Sequence, residues 1–293
     1  MVQYPQHRVQ YAIDYWSVKD DFIAWLRSRG LSWERYVRQM LRTLEKFSRP
    51  VRKPMDVVAM FSGLNGSQKR CLVNGLRSLF RFYEVQGYAE KRWLDLLRSN
   101  LPKTSVGVDL RVPSEKEIVE SLKRVAERDA GRRYFGLYNL LLDSGLRLTE
   151  AVRLFDALRS GGVKLEKRDG FYIAPLGYFR GTKLAYFGFL TEFTLKVIEG
   201  SEGKPLGYKK VMGTATKRFG VVSYKYLRKF AFDNMTSEKL NIPESVADFI
   251  QGRTPKSIGA RHYMNLKRKA VKFYPRYAKY VAELRQNAGI LAA

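Results

Sequence analysis

Five cationic side chains and one tyrosine follow one another in an order that could hold and attack a phosphate: Arg147, Lys183, Lys225, Arg228, Arg253 and Tyr263. Arg147 lies in the run Asp143-Ser144-Gly145-Leu146-Arg147-Leu148-Thr149-Glu150, where Gly145 is suited to end one helix and Thr149 to cap the next. That spacing holds the arginine in a tight corner beside a helix N-terminus, whose backbone N–H groups already favour an anion. Glu150, three residues on, is placed to hold the guanidinium by a bidentate pair. Lys183 follows the turn Arg180-Gly181-Thr182, so it stands at a hairpin tip from which a lysine can enter a DNA groove. Lys225 and Arg228, spaced i and i+3, share one helix face and can converge on one phosphate, with Leu227 and Phe230 turned towards the core. Tyr263 comes ten residues after Arg253, next to His262. A tyrosine hydroxyl, with a pKa of ~10, attacks poorly unless cations surround the phosphate it approaches. Taken singly, each position has a plainer reading: a helix corner with an Arg–Glu ion pair, a solvated strand lysine, a solvated basic face, or one amphipathic tyrosine among 18. The chemistry rests on the ordered set.

Composition narrows what those residues can serve. The 293 residues carry 54 Lys+Arg against 28 Asp+Glu, a net charge of +26, and 45% of them are hydrophobic. A chain that apolar builds real cores, so it is not a disordered basic tail. One cysteine, Cys71, allows neither a disulfide framework nor a Cys-rich zinc module, and two histidines, His7 and His262, leave no His-based metal site. No metal and no cofactor is therefore expected, and no Walker A motif calls for ATP. No apolar run approaches the ~18 residues of a membrane span, and the start MVQYPQHRVQ lacks the apolar centre of a signal peptide. The expectation is a soluble, cytoplasmic protein without a membrane partner. Residues 1–100 hold 18 Lys+Arg and 9 Asp+Glu, and the rest hold 36 and 19, so both halves are basic. Both are then suited to touch one polyanion, with nucleic acid ahead of a membrane surface. A ribosomal-type or nucleoid protein with no chemistry stays open on composition alone.

The elements that must position these residues read as α+β, mostly helical. Stripes at helical spacing cover Ser17–Arg29, a segment from Ser32 through Phe47, a long one from near Ser67 to Gly87, and a short one around Trp93–Leu97. These make residues 1–100 a helical domain. Residues 101–112, with Pro102 and Gly107, read as a linker, and Ser114 with Glu117 is a capping box that opens a second domain, 113–293. There the pattern predicts helices at Tyr134–Asp143 and Glu150–Leu158. Three strands follow at Val163–Lys167, Phe171–Ala174 and Lys183–Leu190. Helices resume at Glu192–Ile198, Tyr224–Met235 and Ser245–Ile250, and again after Tyr263. The tail Lys267–Gln286 is basic and amphipathic. Packing on a neighbouring protomer and packing within the chain are both open for it.

The sequence resembles the tyrosine recombinases of the phage-integrase superfamily. Ser144-Gly145-Leu146-Arg147-Leu148-Thr149-Glu150 is similar to that family's first-arginine box, and Lys183 in Arg-Gly-Thr-Lys to its hairpin lysine. Tyr226-Leu227-Arg228-Lys229-Phe230-Ala231 is similar to the box around its second arginine, with Lys225 where most members have His. Gly252-Arg253 falls where most have Gly-His or a Trp, and His262-Tyr263 falls where the nucleophile lies. Lys and Arg at the two histidine positions resemble the archaeal fusellovirus-type integrases of viruses and plasmids. The match spans about residues 112–265, and the helical 15–98 segment is similar in composition to the family's core-binding domain.

The resemblance implies a site-specific recombinase or integrase that cleaves and rejoins double-stranded DNA at an attachment site. Tyr263 would attack the scissile phosphate to give a 3′-phosphotyrosyl link. Arg147 and Arg228 would clamp the non-bridging oxygens, Lys183 would protonate the 5′-oxygen, and Arg253 would donate to a non-bridging oxygen. Lys225 would assist proton movement or add charge, and Glu150 would support Arg147. The N-terminal helices would close over the opposite face of the duplex as a clamp. A homo-tetramer on two duplexes is implied, in the cytoplasm of a viral or plasmid host, archaeal by resemblance. Other readings stand beside it. They are a chromosome-dimer resolvase, a type IB topoisomerase-like enzyme or telomere resolvase, a non-catalytic DNA-binding relative, and an RNA-binding structural protein.

Overall fold

In a computed structural model the protein is described over residues 12–290, apart from 32, 105–106, 108, 181–182 and 254–264, and by backbone alone at 35, 178–180 and 183–184. The chain divides into two compact units, Met1–Val108 and Asp109–Ala293, each with its own apolar core.

The first unit holds helices α1 (Lys19–Ser28), α2 (Arg38–Phe47), α3 (Pro54–Ala59), α4 (Gly66–Val85) and α5 (Lys91–Ser99). The α4 N-terminus is set by a reciprocal cap. Gln68 N–H donates to Asn65 Oδ1 at 3.0 Å, and Asn65 N–H donates back to Gln68 Oε1 at 3.0 Å. Gly75 in this helix brings α2 close, since a Cβ there would meet Leu44 Cγ at 2.9 Å. Phe22, Leu44, Leu72, Leu76 and Phe80 are buried around that contact. The expected Ser32 cap lies outside the described residues. Where the sequence reads as one helix, a π-helical turn, Trp33–Val37, precedes α2. Pro54 opens α3 rather than only ending what precedes it, because proline suits the first helical turn and Asp56 accepts the N–H groups of Arg52 and Lys53 at 2.8 and 3.0 Å.

The second unit begins with α6 (Glu115–Arg128), capped by Ser114 and Glu117. Helix α7 (Arg133–Ser144) is buried over nearly its whole length and is the centre of the core. Gly145, at φ +57°, ends it, and α8 (Leu148–Arg159) follows. Strands β1 (Glu166–Arg168), β2 (Phe171–Arg180) and β3 (Lys183–Thr191) form one antiparallel sheet in the order β1-β2-β3. Phe171 pairs with Thr191 and Arg180 with Lys183. Strand β2 runs six residues past the expected end because Pro175 sits at a bulge, where a residue without an N–H is tolerated. Strand β1 starts at Glu166 rather than Val163. Helices α9 (Glu192–Glu199), α10 (Tyr208–Val211), α11 (Thr214–Lys217), α12 (Tyr224–Thr236), α13 (Glu244–Ile250) and α14 (Leu266–Asn287) complete the unit. The two short helices α10 and α11 have too few residues for a helical stripe to show in the sequence.

Helix α14 decides the fate of the basic tail. It packs within the chain: Tyr274, Tyr277, Tyr280, Val281 and Leu284 are buried in the core around α7. Arg285, only 3% exposed, pairs with Asp143 Oδ1 and also donates to Asn139 Oδ1, Thr191 Oγ1 and Thr194 Oγ1. Asp143 in turn accepts the Thr191 N–H and hydroxyl, each at 2.8 Å. A buried charge is tolerated when it is paired and fully hydrogen-bonded, as here. Among the described residues no helix is long and apolar enough to cross a membrane.

Candidate functional site

Three chain segments that are far apart in sequence meet beside the end of α7. The first is the corner Gly145-Leu146-Arg147 between α7 and α8. The second is the α12 residue Arg228, and the third is Gln251-Gly252-Arg253 at the end of α13. They are joined through backbone carbonyls. Arg228 Nη1 donates to Gly145 O at 2.7 Å and to Gln251 O at 2.6 Å. Arg147 Nη1 donates to Gly252 O at 2.8 Å. Gln251 Nε2 returns a bond to Arg228 O at 2.9 Å.

The glycines make this meeting possible. At Gly145 a Cβ would stand 2.4 Å from Gln251 Nε2. Gly252 has φ +65°, and a Cβ there would stand 2.8 Å from Ala185 Cβ on β3. Both positions need the left-handed backbone and the missing side chain, so the Gln251 side chain closes on the Gly145 turn and Ala185 of β3 on the Gly252 turn.

Arg147 and Arg253 are also steered by carboxylates. Glu150 accepts Arg147 Nη1 with Oε1 at 2.9 Å and the Arg147 backbone N–H with Oε2 at 3.1 Å. The expected bidentate grip on the guanidinium is thus corrected: one oxygen goes to the guanidinium and the other to the backbone. The reason is that Arg147, not Thr149, is the N-cap residue of α8, and its N–H is one of the groups a helix start leaves unpaired. Arg253 Nη1 donates to Asp248 Oδ1 at 3.1 Å, and its guanidinium lies 4.6 Å from the centre of the Phe232 ring.

Among the described residues, the guanidinium hydrogen bonds of Arg147 and Arg228 run through Nη1. The Nε and Nη2 edge of each fork matches the paired oxygens of a phosphate. Burial, with the nearby Arg253 and Arg147 charges adding to it, pushes the Arg228 guanidinium down from the ordinary arginine range to about 9. It stays cationic at neutral pH, and an anion among the three guanidinium groups would relieve both causes.

The other expected residues fall as follows. Lys183 opens β3 opposite Arg180, and its side chain lies outside the description. Tyr263 lies outside the described residues. Lys225 is on the first turn of α12 but does not share the Arg228 cluster. Its ammonium is 3.0 Å from Asp109 Oδ2 and 4.4 Å from the centre of the Tyr226 ring. Convergence of Lys225 and Arg228 on one point is therefore not seen: Arg228 turns inward to the carbonyls and Lys225 outward to Asp109.

The tail tyrosines are engaged elsewhere. Tyr274 donates to Asp143 O at 3.3 Å, Tyr277 to Leu142 O at 2.8 Å and Tyr280 to Glu115 Oε1 at 2.6 Å. Burial holds all three hydroxyls well above the usual tyrosine range, with Glu115 adding to the effect at Tyr280.

Sequence reasoning missed Gln251, Asp248 and Asp109. Asp248 lies within the apolar stretch Val246–Ile250 of α13 and Gln251 caps its end, and a polar residue in such a stretch is the one signal that marks them. Asp109 gives none, since it lies in a segment without periodicity. Among the described residues no group of three or more His, Cys, Asp or Glu could hold a metal ion.

The second unit is helical with a three-stranded antiparallel sheet, and it gathers three arginines, two held by backbone carbonyls and one by a carboxylate, into one cationic cluster. The chain belongs to the archaeal phage integrase family, whose model matches residues 110–280, a range that contains all six candidate positions. Its class of activity is accordingly DNA integration and recombination. Among solved structures, the integrase from mycobacterium phage Brujita is similar at 16% identity and a TM-score of 0.41, covering 90% of this chain and 93% of that one. Comparison with curated proteins finds no match.

Proposed function

We propose that this integrase cleaves and rejoins duplex DNA at a specific site through a 3′-phosphotyrosyl intermediate, as the recombinase of a virus or plasmid of archaeal type. The observation that carries the reading is that Arg147 and Arg228 are fixed on the carbonyls of Gly252, Gly145 and Gln251, with Arg253 close enough for its charge to act on Arg228. Cations fixed before substrate arrives cost no reorganisation when charge develops on the phosphate, and each such donor is worth on the order of 10²–10³ in rate.

In this reading the Tyr263 oxygen attacks phosphorus while the bond from phosphorus to the 5′-oxygen breaks. Arg147, Arg228 and Arg253 neutralise the non-bridging oxygens of the five-coordinate transition state. Lys183 gives a proton to the departing 5′-oxygen, and Lys225 takes part in removing the tyrosine proton or adds charge. Attack by the 5′-hydroxyl of a second strand reverses the step and joins it. The energy of the phosphodiester is kept in the phosphotyrosine, so no ATP is consumed, and five cations do the work a divalent metal would otherwise do. Strand exchange needs four such sites, hence a tetramer on two duplexes.

The test is incubation of the protein with a nicked attachment-site duplex in EDTA, followed by denaturing electrophoresis. A covalent protein–DNA band is expected from wild type. Tyr263→Phe should bind the duplex normally and give no band. Peptide mapping should put the nucleotide on the Tyr263 peptide. A label on Tyr226, or a strict need for Mg²⁺ in cleavage, would overturn the mechanism. Relaxation of a supercoiled plasmid without joining of two sites would point to a topoisomerase instead.

A further inference from the structure

Asp109 is the first residue of the second unit, and its carboxylate reaches back to α12. One oxygen is 3.0 Å from Lys225 Nζ and the other 3.3 Å from Lys229 Nζ, so a single carboxylate bridges two ammonium groups one helical turn apart. Lys229 is also clasped by the backbone carbonyls of Asp109 and of Arg111, the latter at 3.2 Å. The Tyr226 ring lies between them, with Lys225, Arg111 and Lys229 at 4.4, 5.0 and 5.4 Å from its centre. Among the described residues, Asp109 is the one carboxylate paired with either lysine.

Two cations that share the two oxygens of one anionic group present the arrangement that two non-bridging oxygens of a DNA phosphate would require. The pair is open to such a ligand: the Lys225 side chain is 63% exposed and that of Asp109 41%. Arg228, between the two lysines in sequence, leads directly to the arginine cluster. From this juxtaposition we infer that Asp109 is an internal stand-in for a backbone phosphate, holding Lys225 and Lys229 until duplex DNA displaces it. The inference rests on the proposed reading of the site as one that receives duplex DNA.

The charges are well matched for that role. The Lys225 ammonium, above all, with an N–H bond and Lys229 helping, holds the Asp109 carboxyl down at about 2, and Asp109 raises Lys225 in return. The carboxylate is therefore ionised at any pH where DNA would bind. Exposed ion pairs are individually weak, so a phosphate arriving with many other contacts can open this one. Until it does, Lys225 is kept from the reaction by a contact within its own unit, and Lys229 becomes a phosphate contact that the six-residue catalytic set does not include.

The experiment is binding of a random-sequence duplex oligonucleotide, followed by fluorescence anisotropy at low salt. Asp109→Asn keeps the side-chain size and both carbonyl bonds to Lys229 but removes the charge. It should bind roughly three- to tenfold more tightly than wild type, the range that two exposed ion pairs can supply. Asp169→Asn removes the same charge from the β1–β2 turn, far from these lysines in sequence, and should change binding by less than about twofold. Lys229→Ala should weaken binding more in the Asp109→Asn background than in wild type, because only there is Lys229 free beforehand. Equal tightening by Asp109→Asn and Asp169→Asn, or none by Asp109→Asn, would overturn the inference. Covalent adduct formation by wild type is scored separately. If the adduct forms and Asp109→Asn has no effect on binding, the stand-in is wrong and the recombinase reading stands. If no adduct forms but the Asp109 effect is seen, the reverse holds.

Discussion

Arg228 is the residue on which the site turns, because it is both a structural tie and a charge held out of water. Its Nη1 joins the Gly145 and Gln251 carbonyls, and its positive charge is disfavoured by burial and by two neighbouring guanidinium groups. The sign of that cost is fixed. The folded value, about 9, lies below the ordinary arginine range, so the charged group opposes folding throughout the range below about 9, and the penalty fades only as pH rises above it. An inorganic anion bound among the three arginines should therefore stabilise the fold. Millimolar sulfate should raise the melting temperature of wild type at pH 7, and Arg147→Ala should lose most of that rise. The same residues govern the chemistry. Arg147→Ala and Arg228→Ala should each lower cleavage by at least about 10²-fold in the adduct assay, with duplex affinity falling less than about fivefold, since each is one phosphate contact among many. Arg228→Lys should fare little better, because an ammonium is a single point donor without the planar fork that holds the carbonyls on one edge and offers the other to a phosphate.

At the scale of elements, α14 is fastened to α7 more firmly than its basic, amphipathic sequence suggests. Three tyrosine rings fill the core, and the Arg285–Asp143 pair lies at their C-terminal end with every polar neighbour bonded. Removing one member leaves the other charged and buried. Arg285→Ala should destabilise the second unit by about 3–5 kcal/mol in urea denaturation, and adding Asp143→Asn should recover part of that loss. Because Asp143 is two residues before Gly145, the same change should loosen the corner that carries Arg147. A second element-scale prediction concerns the close approach at Gly252. Gly252→Ala must find room where Ala185 Cβ stands 2.8 Å away and must adopt a left-handed backbone, so cleavage should fall well before duplex binding does.

The whole molecule is governed by a net charge of +26 spread over both units. Residues 1–100 have twice as many basic as acidic residues, 18 against 9, and residues 101–293 are nearly as biased, 36 against 19. Each unit has its own core, so each can present that charge independently. Duplex affinity should fall by orders of magnitude between 50 and 200 mM salt, at a slope set by the number of phosphates neutralised. The second unit alone should bind more weakly and with a shallower salt slope than the full chain. Equal slopes would show that the first unit makes no phosphate contacts.

Much of this is legible in the amino-acid sequence. Helical stripes located α2, α4, α7 and α12, and the Ser114–Glu117 box located the start of α6, because these signals arise within one turn or one face of a helix. The first box and the second box placed Arg147 and Arg228 in positions where the structure brings them together. What the sequence could not carry was the partner of each group. That Glu150 divides its oxygens between a side chain and a backbone N–H follows from where α8 begins, a matter of one or two residues that capping residues alone do not settle. That Lys225 faces Asp109 instead of Arg228 depends on a contact spanning more than a hundred residues, with no periodicity on the Asp109 side to announce it. That Tyr274, Tyr277 and Tyr280 point into the core follows from the docking of α14 on α7. Residue types and local spacing determined which groups could hold a phosphate. Only the tertiary structure decided which of them share a place, because carbonyl-bridged arginines and displaced lysines are made by segments that meet in space and not along the chain.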